Sequence, residues 1–254
     1  MVSTRSSSAA LMTPRTGRSS SPPAPPLSTS VLTKSRTRAA AAAGPTSAPA
    51  ASSVGWYHAP SKFAVYWLAA SIPLIFWDAG YVFLRPHSMV GGSLHWPIWS
   101  LYKIQAELDH TYGFKEFLAG GGWNYAQSAG NIVENLANMF YLALYWRAGT
   151  ALRTASGETV TALTGRTGAV ALLVAFATAV STTYKTALYW AIEAFSGFDN
   201  IGHNPPLQMA SWIILNGAWL VFPAYLAYSF GAEIVDGLTR SSSSGTSKRS
   251  HKAE

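Results

Sequence analysis

The stretch "NIVENLANMFYLALYW", residues 131–146, sets Glu134, Asn131, Asn135 and Asn138 in a run otherwise made of Ile, Val, Leu, Ala, Met, Phe and aromatic residues. Most of the polar members follow one period. With Gln127 upstream, the residues Asn131, Glu134, Asn138, Tyr141 and Tyr145 recur at helical spacing and share one face, while the opposite face is compatible with lipid. A helix that turns a carboxylate to one side and hydrocarbon to the other fits a membrane bundle with a polar interior.

Composition points the same way. The 254 residues are 49% hydrophobic and 11% charged, against roughly 25% charged in an ordinary soluble domain. Four apolar stretches, about residues 62–84, 127–146, 167–195 and 207–230, are each long enough for the roughly 20 residues that a spanning helix needs. The expected fold is an all-α polytopic membrane protein: a four-transmembrane-helix bundle over residues 60–232, with an interfacial loop helix and disordered tails. The tail over 1–55 is Ser, Ala, Pro and Arg with few large apolar residues, and the basic tail over 233–254 is similar. Arginines without acids near the start mimic a mitochondrial transit peptide, but the amphipathic stripe is missing, and no secretory h-region is visible.

The net charge is +7 and there is no cysteine, which excludes disulfides, thiolate chemistry and Cys-based metal sites. Because the basic residues fall mostly in the tails and one central loop, nucleic acid is not an expected partner. The six histidines form no His-x-x-x-His pair on a span, so neither a metal site nor a metal cofactor is expected. The basic N-tail, the loop with Arg147, Arg153 and Arg166, and the basic C-tail alternate with poorly basic loops, which predicts cytoplasmic termini. The first loop holds "HWPIWSLYKIQAELDHTY", residues 95–112, whose aromatics suit an interfacial cap.

An ionisable group near the bilayer centre costs at least about 2.5 to 3.5 kcal/mol, so it is a functional candidate by default. Such groups are Asp78, Glu134, Lys185 and Glu193, with Asn216 as a polar companion. On the third span Thr178, Thr182, Lys185 and Tyr189 share a face, and Thr182, Thr186, Tyr189 and Glu193 form an overlapping stripe. On the fourth, Trp212, Asn216, Trp219 and Pro223 do so. Each residue also has a plainer reading. Glu134 could be hydrogen-bonding glue to Asn131 or Asn138, Asp78 an ion-pair partner of Lys185, Lys185 a snorkelling cation, Glu193 an interfacial acid and Trp219 ordinary packing.

The segments "FWDAGYVFL" (76–84), "WSLYKIQAELDHTY" (99–112), "NIVENLAN" (131–138), "YKTALYWAIEAFSGF" (184–198), "GHNPP" (202–206) and "ILNGAWLVFP" (214–223) together resemble the emopamil-binding protein family, whose EXPERA domain also occurs in the sigma-2 receptor. The resemblance covers about residues 63–228. It implies a four-helix bundle in the endoplasmic reticulum membrane and sterol Δ8–Δ7 isomerisation without a cofactor. It implies catalytic roles for Asp78 and Glu134, and substrate or supporting roles for Asp109, Tyr112, Glu193, Asn216 and Trp219; Asn138, Lys185 and Tyr189 complete the expected binding set. The chemistry adds a proton to one alkene carbon and removes one beside it. Three departures from the family pattern stand out: Leu74 replaces a histidine one turn before Asp78; Thr186, preceded by the cation Lys185, stands where the isomerases carry a third-helix acid; and the first loop is longer than the family's by about ten residues. The expected partners are therefore a sterol or another terpenoid, and the lipid bilayer, with a homodimer left open. A non-catalytic sterol or lipid binder of the sigma-2 receptor kind, or a terpenoid cyclase, are the alternatives.

Overall fold

The computed structural model describes residues 48–51 and 55–250, the last ten as backbone alone. Most of the expected 1–55 tail lies outside the described residues, as does the end of the C-tail. Four long helices dominate: α1 (Lys62–Phe83), α4 (Trp123–Ala148), α5 (Gly165–Phe195) and α6 (Pro206–Ser250). Between α1 and α4 lie the short helices α2 (Tyr102–Leu108) and α3 (Phe114–Leu118), with a 3-10 turn, His110–Tyr112, between them. In sequence order, α1 packs on α4, α4 on α5 and α5 on α6.

Three of these helices are long and apolar enough to cross a membrane: α1, α5 and α6 over Pro206–Arg240. The 22 residues of α1 rise roughly 33 Å at 1.5 Å each, matching a hydrocarbon core of about 30 Å. Helix α4 is 26 residues long but is not among the three, because its polar face lowers its average apolarity. The face it buries holds Asn124, Ser128, Glu134, Asn135 and Asn138, whereas Val133, Leu136, Met139 and Phe140 are exposed. Polar groups inside and hydrocarbon outside invert the pattern of a soluble helix.

Local chemistry sets the helix ends. The Ser61 side chain accepts from Ala64 N at 3.2 Å and caps α1. Pro73 lies inside α1; beside it, Asn135 on α4 donates to the Ile72 carbonyl at 2.9 Å, tying α4 to the turn the proline interrupts. Helix α5 stops because Gly197 takes φ 71°, open to a residue without Cβ. Phe198 N then donates back to Glu193 O at 2.7 Å, the long bond of a Schellman end.

Two elements depart from the expected all-α fold with a break at 232. The α4–α5 connection is a hairpin, β2 (Thr150–Arg153) and β3 (Thr159–Thr164), and β1 (Tyr57–His58) adds to it in the antiparallel order β1-β3-β2. Its Thr and Val residues favour extended backbone, and Gly157 at φ 84° makes the turn. Helix α6 runs on past residue 232 without interruption. There Glu233 meets the fully buried His58, whose Nδ1 lies 2.9 Å from Oε2 and whose Nε2 lies 3.0 Å from the Tyr141 hydroxyl. A carboxylate only accepts, so Nδ1 carries the proton, and in the neutral ring Nε2 accepts from Tyr141.

At this sheet end a core of Ala64, Leu68, Tyr141, Leu142, Leu163, Leu172, Leu226 and Phe230 fills the bundle. At the other end the loops form a cap. Tyr81, Val82, Met89, Trp99 and Tyr102 pack together, and Leu108, Tyr189, Ile201 and Trp212 make a second cluster. The α1–α4 loop is tied to the α5–α6 loop by His110 N to Asn200 O at 3.2 Å, Asn204 Nδ2 to Leu108 O at 2.7 Å and a Lys115–Asp199 ion pair at 2.7 Å.

Candidate functional site

Between the sheet-end core and the cap lies a cavity of about 440 Å³. Helix α1 contributes Leu74, Ile75, Trp77 and Asp78, and the cap contributes Leu101, Tyr102, Gln105 and Tyr112. Gln127 and Asn131 come from α4, Thr182, Lys185, Thr186 and Tyr189 from α5, and Leu215, Asn216 and Trp219 from α6. The sequence periodicity brings these together because each helix turns its polar stripe inward.

Asp78 is half-buried and faces this space; the Tyr102 phenol donates to its Oδ1 at 2.6 Å. Tyr81 and Tyr102 stack with centroids 3.9 Å apart, which fixes that phenol. Burial first, and then the neighbouring Asp78 carboxylate, push the Tyr102 phenol far above its usual value, and the same causes act on Tyr112. Both phenols therefore keep their protons and serve as donors.

Glu134 does not line the cavity. Its Oε1 accepts from Ser181 at 2.6 Å, and its Oε2 accepts from Thr182 at 2.9 Å and from Lys185 Nζ at 2.7 Å. Lys185 also donates to Asn131 Oδ1 at 2.5 Å. The pairing of Asp78 with Lys185 considered from sequence is thus replaced by Lys185 with Glu134, because α5 lies against α4, whereas Asp78 turns toward the cap.

The remaining predicted residues divide. Tyr112, Lys185, Tyr189, Asn216 and Trp219 line the cavity. Asn216 Nδ2 donates to Trp212 O at 2.9 Å in its own helix. Asn138 is buried one layer deeper and accepts from Thr178 at 2.9 Å. Asp109 is fully buried behind the wall, accepting from Tyr189, from Trp212 Nε1 at 2.8 Å and from Thr111 N at 2.9 Å. Burial pushes the Asp109 carboxyl above its usual value, although the hydrogen bonds from Trp212 and Thr111 oppose this. Glu193 reaches neither the cavity nor the interface. It is 1% exposed and braces the α5–α6 loop through Asn200 Nδ2 at 2.9 Å.

No family model, curated protein or solved structure matches the chain. The site must be read from its own geometry. Sequence reasoning missed Tyr102 as the partner of Asp78, and Ser181 as a partner of Glu134. Tyr102 lies in the aromatic segment read as an interfacial cap, but nothing in the sequence folds that loop back over α1. Chemically, the site offers one carboxyl group open to the cavity, a charge-neutral ammonium–carboxylate pair with its ammonium at the wall, phenol and amide donors, and aromatic and aliphatic surface for a hydrophobic guest.

Proposed function

We propose that the chain is a four-span membrane isomerase of the emopamil-binding protein type, acting on a sterol or related terpenoid in the endoplasmic reticulum membrane with both termini cytoplasmic. The observation that carries this reading is a single carboxyl group, Asp78, facing an aromatic and aliphatic cavity of about 440 Å³ inside a bundle of apolar helices. Small-molecule sites typically hold roughly 300 to 1,000 Å³. A crossing by α4 is supported by its orientation, with Glu134, Asn135 and Asn138 inward and Val133, Leu136 and Phe140 outward. A lipid route is supported by the α1–α6 seam. These helices meet chiefly through rings near the sheet end, such as Trp67 with Trp219 at 5.1 Å and Phe63 with Phe222 at 5.3 Å. Nearer the cap, the cavity-lining Leu74 and Leu215 are exposed.

In this reading the Asp78 carboxylic acid gives its proton to one alkene carbon, leaving a carbocation and a carboxylate. A neighbouring carbon then loses a proton to that carboxylate, and the C–H electron pair becomes the new double bond. Protons and electrons balance with one acid. The rings of Trp77 and Trp219 at the wall can stabilise the cation by about 2 kcal/mol when desolvated. Glu134 acts as the counter-ion of Lys185 rather than as a second proton carrier.

The test is expression in cells lacking sterol Δ8–Δ7 isomerase, with sterols read by mass spectrometry. Δ7 products are expected from wild type and none from Asp78→Asn. A membrane-inserted, folded wild-type protein that yields none rejects Δ8–Δ7 sterol isomerisation. Two observations favour a second reading, a non-catalytic sterol or lipid binder: Leu74 stands where the isomerases place a histidine, and both oxygens of Glu134 are engaged. In that case sterol binds and is recovered unchanged.

A further inference from the structure

Lys185 gives the cavity a donor that a carbocation mechanism leaves unused. Its ammonium carries three N–H donors and no acceptor. Asn131 and Glu134 each accept one, at 2.5 Å and 2.7 Å. The side chain is 15% exposed and lines the cavity, leaving one N–H for an occupant. A carbocation makes no use of a hydrogen-bond donor, whereas a developing oxyanion is stabilised by one.

The cavity is also two-sided. The polar groups of α4 and α5, including Asn131, Thr182 and Lys185, gather on one side. The α1 and α6 side offers Leu74, Ile75, Leu215 and Trp219, with the Asn216 amide bonded back to its own helix and Asp78 toward the cap. An occupant suited to both has a hydrocarbon body with an oxygen at one pole. Because Glu134 already neutralises Lys185, a neutral oxygen suits the site better than a carboxylate or phosphate. A carbonyl oxygen, which only accepts, matches a donor-only ammonium. Asp78 and Lys185 line the same space.

We infer that the substrate is a β,γ-unsaturated polycyclic ketone, with Lys185 binding its carbonyl oxygen and Asp78 moving the proton. The Asp78 carboxylate removes a proton from the carbon between the carbonyl and the alkene. The C–H electrons form a dienolate whose oxyanion Lys185 stabilises, and Asp78 returns the proton to the γ carbon. One C–H bond breaks, one forms, and the alkene moves into conjugation. This rests on the double-bond isomerase reading and replaces its carbocation with an enolate.

The experiment uses the full chain in lipid nanodiscs with two probes: cholest-5-en-3-one, followed by the ultraviolet absorbance of the conjugated enone, and the Δ8 alcohol cholest-8-en-3-ol, followed by mass spectrometry. Wild type is expected to conjugate the ketone faster than empty nanodiscs. Lys185→Met should lower that rate about 10²- to 10³-fold, the usual loss on removing one oxyanion donor. Since Lys185→Met leaves Glu134 unpaired, Lys185→Met/Glu134→Gln, which removes both charges, is measured beside it after a thermal-unfolding check. Turnover of the alcohol but not the ketone overturns this inference and leaves the isomerase reading standing. Turnover of neither overturns both. A folded double variant that conjugates the ketone at the wild-type rate overturns the role of Lys185.

Discussion

Lys185 on α5 and Glu134 on α4 are joined at 2.7 Å, with side chains 15% and 9% exposed. Removing one member of such a pair strands a charge out of water, at a cost of about 3 to 5 kcal/mol, whereas removing both together costs far less. Glu134→Gln is therefore expected to destabilise the protein by that amount in detergent unfolding. Lys185→Met/Glu134→Gln should recover most of it. Equal stability of wild type and Glu134→Gln would place the pair in contact with water.

Asp109 reaches no substrate but holds Tyr189 and Trp212 on α5 and α6. Asp109→Ala leaves three buried donors, Tyr189, Trp212 and the Thr111 amide, without their charged acceptor, a loss of about 3 kcal/mol or more. The expected result is a lower unfolding midpoint, with tryptophan fluorescence shifted toward that of a wetter environment. An unchanged spectrum would mean that Trp212 finds another partner.

His58 joins β1 to the extension of α6 through Glu233 and to α4 through Tyr141. His58→Ala is predicted to cost about 1 to 3 kcal/mol and to speed amide hydrogen exchange over residues 231–240, leaving exchange in the cap unaltered. Uniform acceleration throughout the chain would count against a local clasp.

Acid should loosen the cap. Burial, the His203 ring stacked at 4.0 Å and Lys115 all hold the His110 imidazole below its ordinary value of 6.5, while Asp199 and Glu193 act the other way. The folded chain thus favours neutral His110. This stability is present above about pH 6.5 and is lost as pH falls through the lower folded value. Unfolding midpoints measured from pH 7.5 to 5 should fall in wild type and fall less in His110→Gln. Parallel curves would remove His110 as the cause.

Much of the site was legible before any fold was known. The inward stripe of Asn131, Glu134, Asn138 and Tyr141 needs only the 3.6-residue period, and it correctly names the buried side of α4 apart from Asn135, which reaches α1 instead. The cap was legible as an aromatic interfacial loop but not as the donor of Tyr102 to Asp78. The hairpin carrying Arg153 was read as a plain loop because its Thr-rich alternation is short and lies between two helices. The α6 extension was read as tail because its partner, His58, is 175 residues away in sequence.

The sequence alone determined which side chains turn inward, since helical period and the cost of polar groups in hydrocarbon act residue by residue along a single segment. Tertiary structure decided how those groups pair. Whether Lys185 neutralises Asp78 or Glu134 depends on which helices are neighbours, because a charge-assisted hydrogen bond forms only within about 3 Å. That choice left Asp78 open to the cavity and engaged both oxygens of Glu134.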